Sequence, residues 1–130
     1  MASVVEPDFM KGPRTSREGL SGSSEARVLV RQRFPQKPYC LIRDWTIFHI
    51  EVTADELSKV HATGQLPMVV FAHSVAEDSQ GRFERGDWVR STMCTSLNEG
   101  VLFETRNTVY ALIGPGHEQP ATLKEVFSFC

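Results

Sequence analysis

The chain has 130 residues, 41% of them hydrophobic and 23% charged, with a net charge of −2. That length supports one domain burying about two thirds of the surface its unfolded chain exposes, without metal or disulfide staples, and the composition excludes fibrous and fully disordered classes. Charge is uneven: residues 1–43 hold eight Lys/Arg against four acids, a net of +4, which leaves −6 on the remainder.

Residues 1–22 are rich in Gly, Ser, Arg and Pro with scattered apolar side chains, the composition of a disordered N-terminal tail. From Ser24 the stretch SEARVLVRQRF offers an N-cap and a first-turn acid and is stopped by Pro35, which predicts a helix over about 25–33. YCLIRDWTIFHIEV, residues 39–52, is aromatic and β-branched and predicts one or two strands. Thr53 and Glu56 form a capping box that opens a helix over about 54–63, closed by Gly64.

After Pro67, MVVFAHSVA is nearly apolar on both faces and reads as a central strand. DSQGRFERGD interrupts it, and WVRSTMCT resumes as the return strand of a hairpin. VLFET and TVYALI predict two further strands joined at Arg106-Asn107, GPGHEQP reads as a loop, and Thr122 with Glu125 is a second capping box opening a short helix that packs Val126 and Phe127 inward. Short connections favour antiparallel neighbours. The expected architecture is an α+β domain over 23–130, with an antiparallel sheet of four to five strands and two to three short helices.

Cys40, Cys94 and Cys130 are an odd number at wide spacing, which argues against a disulfide framework and fits a reducing, cytoplasmic setting. Cys40 and Cys94 sit in apolar surroundings and read as small core hydrophobes. No Cys/His spacing suggests a metal, GPGH at 114–117 lacks the Lys-Ser/Thr of a phosphate loop, and no cofactor is expected. No apolar run approaches the ~18 residues of a membrane helix, and no secretory leader is visible.

The segment DSQGRFERGDWVRST, residues 78–92, carries the densest chemistry. Its turn residues Asp78, Gly81 and Gly86 have a plain folding role. Arg82, Arg85, Trp88 and Arg90 remain as candidate contacts, with His73 and Asp78 nearby, because Trp and Arg are the side chains that most often anchor protein interfaces. The runner-up is a small enzyme whose arginines clamp a phosphorylated or nucleotide substrate, with His73, Asp78 and Asp87 able to assemble a general base in which a carboxylate orients the histidine. A third reading is nucleic-acid binding through the basic leader, against which stands its own acidic body as an equally good docking surface.

The blocks YCLIRDW, DSQGRFERGDWVRS and FETRNTVYALIGPG resemble a family of small uncharacterised bacterial proteins, often in prophage-like or mobile-element neighbourhoods, catalogued as a domain of unknown function. The resemblance spans Tyr39 to Gly116 and implies no activity or cofactor. It does imply an accessory role in which the chain binds and modulates a host protein. The expected function is therefore non-enzymatic binding of a macromolecular partner, most plausibly a protein, through Arg82, Arg85, Trp88 and Arg90; no membrane partner is expected.

Overall fold

The computed structural model describes residues 14–128. The longest strand, β2 (Tyr39–Glu51), organises everything else. One edge of β2 takes β3 (Met68–Asp78) antiparallel; the other takes first β7 (Val109–Leu112) and then β8 (Pro115–Thr122), both parallel to it. The remaining strands are β1 (Thr15–Glu18) on β8, β4 (Val89–Arg90) on β3, and a meander of β5 (Cys94–Asn98), β6 (Leu102–Thr105) and β7. A bridge between Leu66 and Cys94 draws the β5 edge back toward the start of β3. The sheet thereby curls on itself.

This corrects the sequence-based expectation of a four- to five-stranded antiparallel sheet: the sheet has eight strands and is mixed. Three stretches account for the strand count: GPGHEQP read as a loop, residues 15–18 read as tail, and WVRSTMCT, read as one return strand, which divides into β4 and β5. GPGHEQP carries two glycines and a proline and looks like a loop, yet it is most of β8. Gly116 is there because a side chain cannot be: a Cβ would lie 2.3 Å from two atoms of the Trp45 indole. Pro120 stands opposite His49 of β2, beyond the four residues of β8 that β1 pairs. Residues 15–18, inside the stretch read as a tail, form a strand against β8. The rest of that expected tail, residues 1–13, lies outside the described residues, as does Cys130.

The curl encloses one core and exposes a second face to be covered. Inside pack Ile42, Trp45, Ile47, Val70, Ala72, Val89, Phe103, Tyr110 and Leu112. Trp45 has no exposed surface, and its indole Nε1 donates to the Ile113 carbonyl at 3.2 Å. On the outer face, α1 (Ser23–Arg33) lays Ala26 and Val30 over Tyr39, Leu41 and Ala111, while α3 (Leu123–Val126) sets Val126 against Phe48, Ile50, Val69 and Phe71. Both capping boxes form, at Thr53/Glu56 for α2 (Ala54–Ala62) and at Thr122/Glu125 for α3. The N-cap of α1 is Gly22 rather than Ser24, and Glu25 reaches back to the Ser21 amide instead. Cys40 and Cys94 are free and buried, and burial pushes each thiol up to about 12. Among the described residues no helix is long and apolar enough to cross a membrane.

Candidate binding surface around Trp88 and Arg90

The β3–β4 connection is built by short-range chemistry. Gly81 and Gly86 take φ of +64° and +94°, which side chains other than glycine rarely adopt. Asp78 folds the turn back on itself: its carboxylate accepts from the Arg82 amide at 2.6 Å, from Arg82 Nε at 3.0 Å and from Arg82 Nη2 at 2.7 Å. Arg82 Nη1 goes on to donate to the Thr108 hydroxyl at 2.9 Å, tying the turn to β7. The Asp78 side chain is 0% exposed and that of Arg82 36%. Burial raises the Asp78 carboxyl, but the hydrogen bonds from Arg82 outweigh it and hold the group below the usual carboxylate range. Asp87 closes the far side of the loop by accepting from the Glu84 amide, and the Val75 amide donates to the Asp87 carbonyl.

The six residues singled out by sequence do not share one site. Asp78 and Arg82 sit at the end of β3. His73, five residues back along the strand and so about 16 Å away, lines a separate depression of about 370 Å³ with Thr46, His117 and Asp44. Its ring meets the edge of Phe71 at 4.9 Å. Arg85 is exposed, with no ion pair or hydrogen bond among the described residues. The convergence of His73, Asp78 and two arginines that an acid–base enzyme would need is absent, and among the described residues no three His, Cys, Asp or Glu side chains form a metal-binding group.

Trp88 and Arg90 do come together, with a partner that sequence reasoning turned the wrong way. β4 pairs Arg90 opposite Phe71, which sends Trp88 and Arg90 to the outer face beside α3. Trp88 is half-buried, its ring 5.9 Å from that of Phe71 and tilted 31° to it. Phe127 was expected in the core; it is instead 43% exposed, and the Arg90 guanidinium lies over its ring at 4.5 Å. The reason is the brevity of α3: four residues give one inward position, which Val126 fills, and Phe127 follows as the C-cap on the outside. Met93 and Val52, also half-buried, border the same area. Within it, Arg90 Nε is shielded from solvent and has no hydrogen-bond acceptor among the described residues.

Four of the basic leader's eight cations are paired with carboxylates of the same domain. Arg17 pairs with Glu118 at 3.2 Å, Arg27 with Glu77 at 2.6 Å, Arg33 with Glu99 at 2.8 Å and Lys37 with Glu104 at 2.6 Å. Every one of these joins the first 43 residues to the acidic body. The Arg27 hydrogen bond holds the Glu77 carboxyl below its usual range, and the Arg33 bond does the same for Glu99.

A family described as Domain of unknown function (DUF6957) matches residues 18–128, which takes in all three helices and every strand except the first three residues of β1. The chain belongs to that family. No curated protein and no solved structure matches it.

Proposed function

We propose that this DUF6957 domain is a non-enzymatic binding module whose contact surface for a protein partner is centred on Trp88, Arg90 and Phe127, with Arg85 at its rim. The observation that carries this reading is the Arg90 guanidinium seated on a half-exposed phenylalanine beside a half-exposed tryptophan, with one N–H lacking an acceptor. Aromatic, Met and Arg side chains are enriched in the buried centres of protein interfaces, and an N–H shielded from water without an acceptor is relieved by a carbonyl or carboxylate arriving with a partner. Nucleic acid is the weaker fit because half of the leader's cations already face carboxylates of the same chain. A cytoplasmic setting accords with free, buried Cys40 and Cys94. The reading as a phage- or mobile-element-encoded modulator of a host system rests on the sequence resemblance alone.

The test is quantitative affinity purification from the native cell with the wild type and an Arg90→Gln, Phe127→Ser double variant, both checked for thermal melting. A partner enriched by the wild type should be lost by a variant that melts within a few degrees of it, since both changes are at the surface. Equal recovery of every protein by the two forms overturns the assignment of this surface.

A further inference from the structure

At the opposite end of β3 from Arg90, three separated segments meet around an open cleft of about 810 Å³ whose lining includes Phe34, Lys37, Gln80, Arg82, Arg106 and Asn107. Phe34 and Lys37 come from the α1–β2 connection, Gln80 and Arg82 from the β3–β4 loop, and Arg106 and Asn107 from the β6–β7 turn. The lining holds three cations and not one carboxylate.

Two of those cations are fixed from behind. Lys37 Nζ donates to Glu104 and to the Thr105 carbonyl, each at 2.6 Å, while Arg82 is held by Asp78 and Thr108. Thr105 and Thr108 flank the turn that presents Arg106 and Asn107, so the same four residues set the positions of all three cations. Arg82 has five N–H groups; two bind Asp78 and one binds Thr108, which leaves two for the cleft. Arg106 faces no carboxylate among the described residues and touches only the Thr63 carbonyl at 3.3 Å. With Glu104 and Asp78 counted, the cluster keeps one net positive charge. An arginine pre-oriented by a buried carboxylate donates to an anion without first losing side-chain freedom.

We infer that this cleft binds a mononucleotide, with its phosphate on Arg82, Arg106 and Lys37 and its base against the half-buried Phe34 ring among the Gln80 and Asn107 amides. The combination of an aromatic face, side-chain amides and a fixed cation fork suits a flat hydrogen-bonding ring joined to an anion better than it suits an anion alone. The inference is independent of the Trp88 and Arg90 surface, which lies on β4 and α3.

The probes are AMP and inorganic phosphate, titrated into the full chain labelled with ¹⁵N. AMP should produce saturable shifts on the amides of Gln80, Arg106 and Asn107, and phosphate weaker shifts on the same groups. Arg106→Gln should weaken both by about tenfold, the loss of one charge-assisted contact; Arg106→Lys should fall between. Phe34→Ala should weaken AMP and leave phosphate unchanged. Arg106 is exposed and its one hydrogen bond outside the cleft is to the Thr63 carbonyl, so spectra beyond the cleft and the end of α2 should not move, which keeps the outcome readable even where Phe34→Ala perturbs the fold. An AMP titration without saturation, shifts centred elsewhere, or an AMP affinity no tighter than that of phosphate overturns the assignment. So does a short single-stranded oligonucleotide that binds far more tightly than AMP through the same amides.

Discussion

Arg82 and Arg90 lie eight positions apart on the two sides of one loop and meet opposite fates. Arg82 forms a two-pronged pair with a carboxylate that no solvent reaches and reaches a second strand through Thr108. Arg90 finds no carboxylate among the described residues and rests on the ring of Phe127. The first arginine is part of the scaffold and borders a cleft; the second is a surface group with an unmet donor. What separates them is the neighbour that the fold supplies, since the residue type is the same. Substitutions around the two should therefore separate stability from binding.

The largest effect should come from Asp78→Ala. It removes the carboxylate that Arg82 pairs with among the described residues and three hydrogen bonds of the turn. Breaking a buried pair from one side destabilises by about 3–5 kcal/mol; because the Arg82 end still meets water, about 2–3 kcal/mol is expected, a fall in melting temperature of roughly 10 °C. Asp78→Asn should lose somewhat less, retaining the amide acceptor. The pH dependence has a definite sign. The folded Asp78 carboxyl titrates below its unfolded value of ~3.9, so its stabilisation is complete above that value and is lost as pH falls through the folded one. The stability gap between wild type and Asp78→Asn should thus narrow on acidification below about pH 4, as read by melting curves. A gap that widens in acid would show that the Arg82 pair is not what holds the turn.

Next in size is Trp88→Ala. A fully buried Trp loses about 3–5 kcal/mol on truncation. Half-buried Trp88, stacked obliquely on Phe71, should lose about half of that, with the fall in melting temperature accompanied by loss of the partner. The comparison sharpens here, because Asp78→Ala should lower stability and leave the partner contact of the surviving folded fraction intact. Chemical denaturation of each variant and partner binding at low temperature separate the two outcomes. If Asp78→Ala abolished partner binding at a temperature where it is folded, the two arginine environments would not be independent.

The difference between these neighbourhoods was only half visible in the sequence. Asp78 was legible as a turn residue and the two capping boxes were legible as local chemistry, but the pairing of Arg82 with Asp78 was not foreseen: Arg82 was expected as a partner contact. Phe127 was misplaced because an amphipathic helix has an inside only over several turns, and α3 has four residues. Lys37 and Arg106 gave no signal at all, since they meet Arg82 only through the parallel pairing of β2 with β7. That pairing was hidden because short connections were read as antiparallel neighbours, and β2 and β7 are far apart in the chain. Residue composition reports backbone preference, and at Gly116 the preference is set by an indole more than seventy positions earlier.

The smallest effect is the one that most narrowly tests the surface. Arg85 is exposed and makes no ion pair among the described residues, so Arg85→Ala should change stability by no more than about 0.5 kcal/mol. At the rim of an interface a lone charge acts on encounter more than on residence: it steers an oppositely charged partner at long range and is screened by salt. Once the partner of the Trp88 and Arg90 surface is in hand, Arg85→Ala should slow its association several-fold at low ionic strength and leave dissociation unchanged, with the difference gone at high salt. Stopped-flow mixing at two salt concentrations reads both rates. An undiminished association rate would take Arg85 out of the rim and leave Trp88, Arg90 and Phe127 as the whole of the contact, and a faster dissociation would place Arg85 inside the contact rather than at its rim.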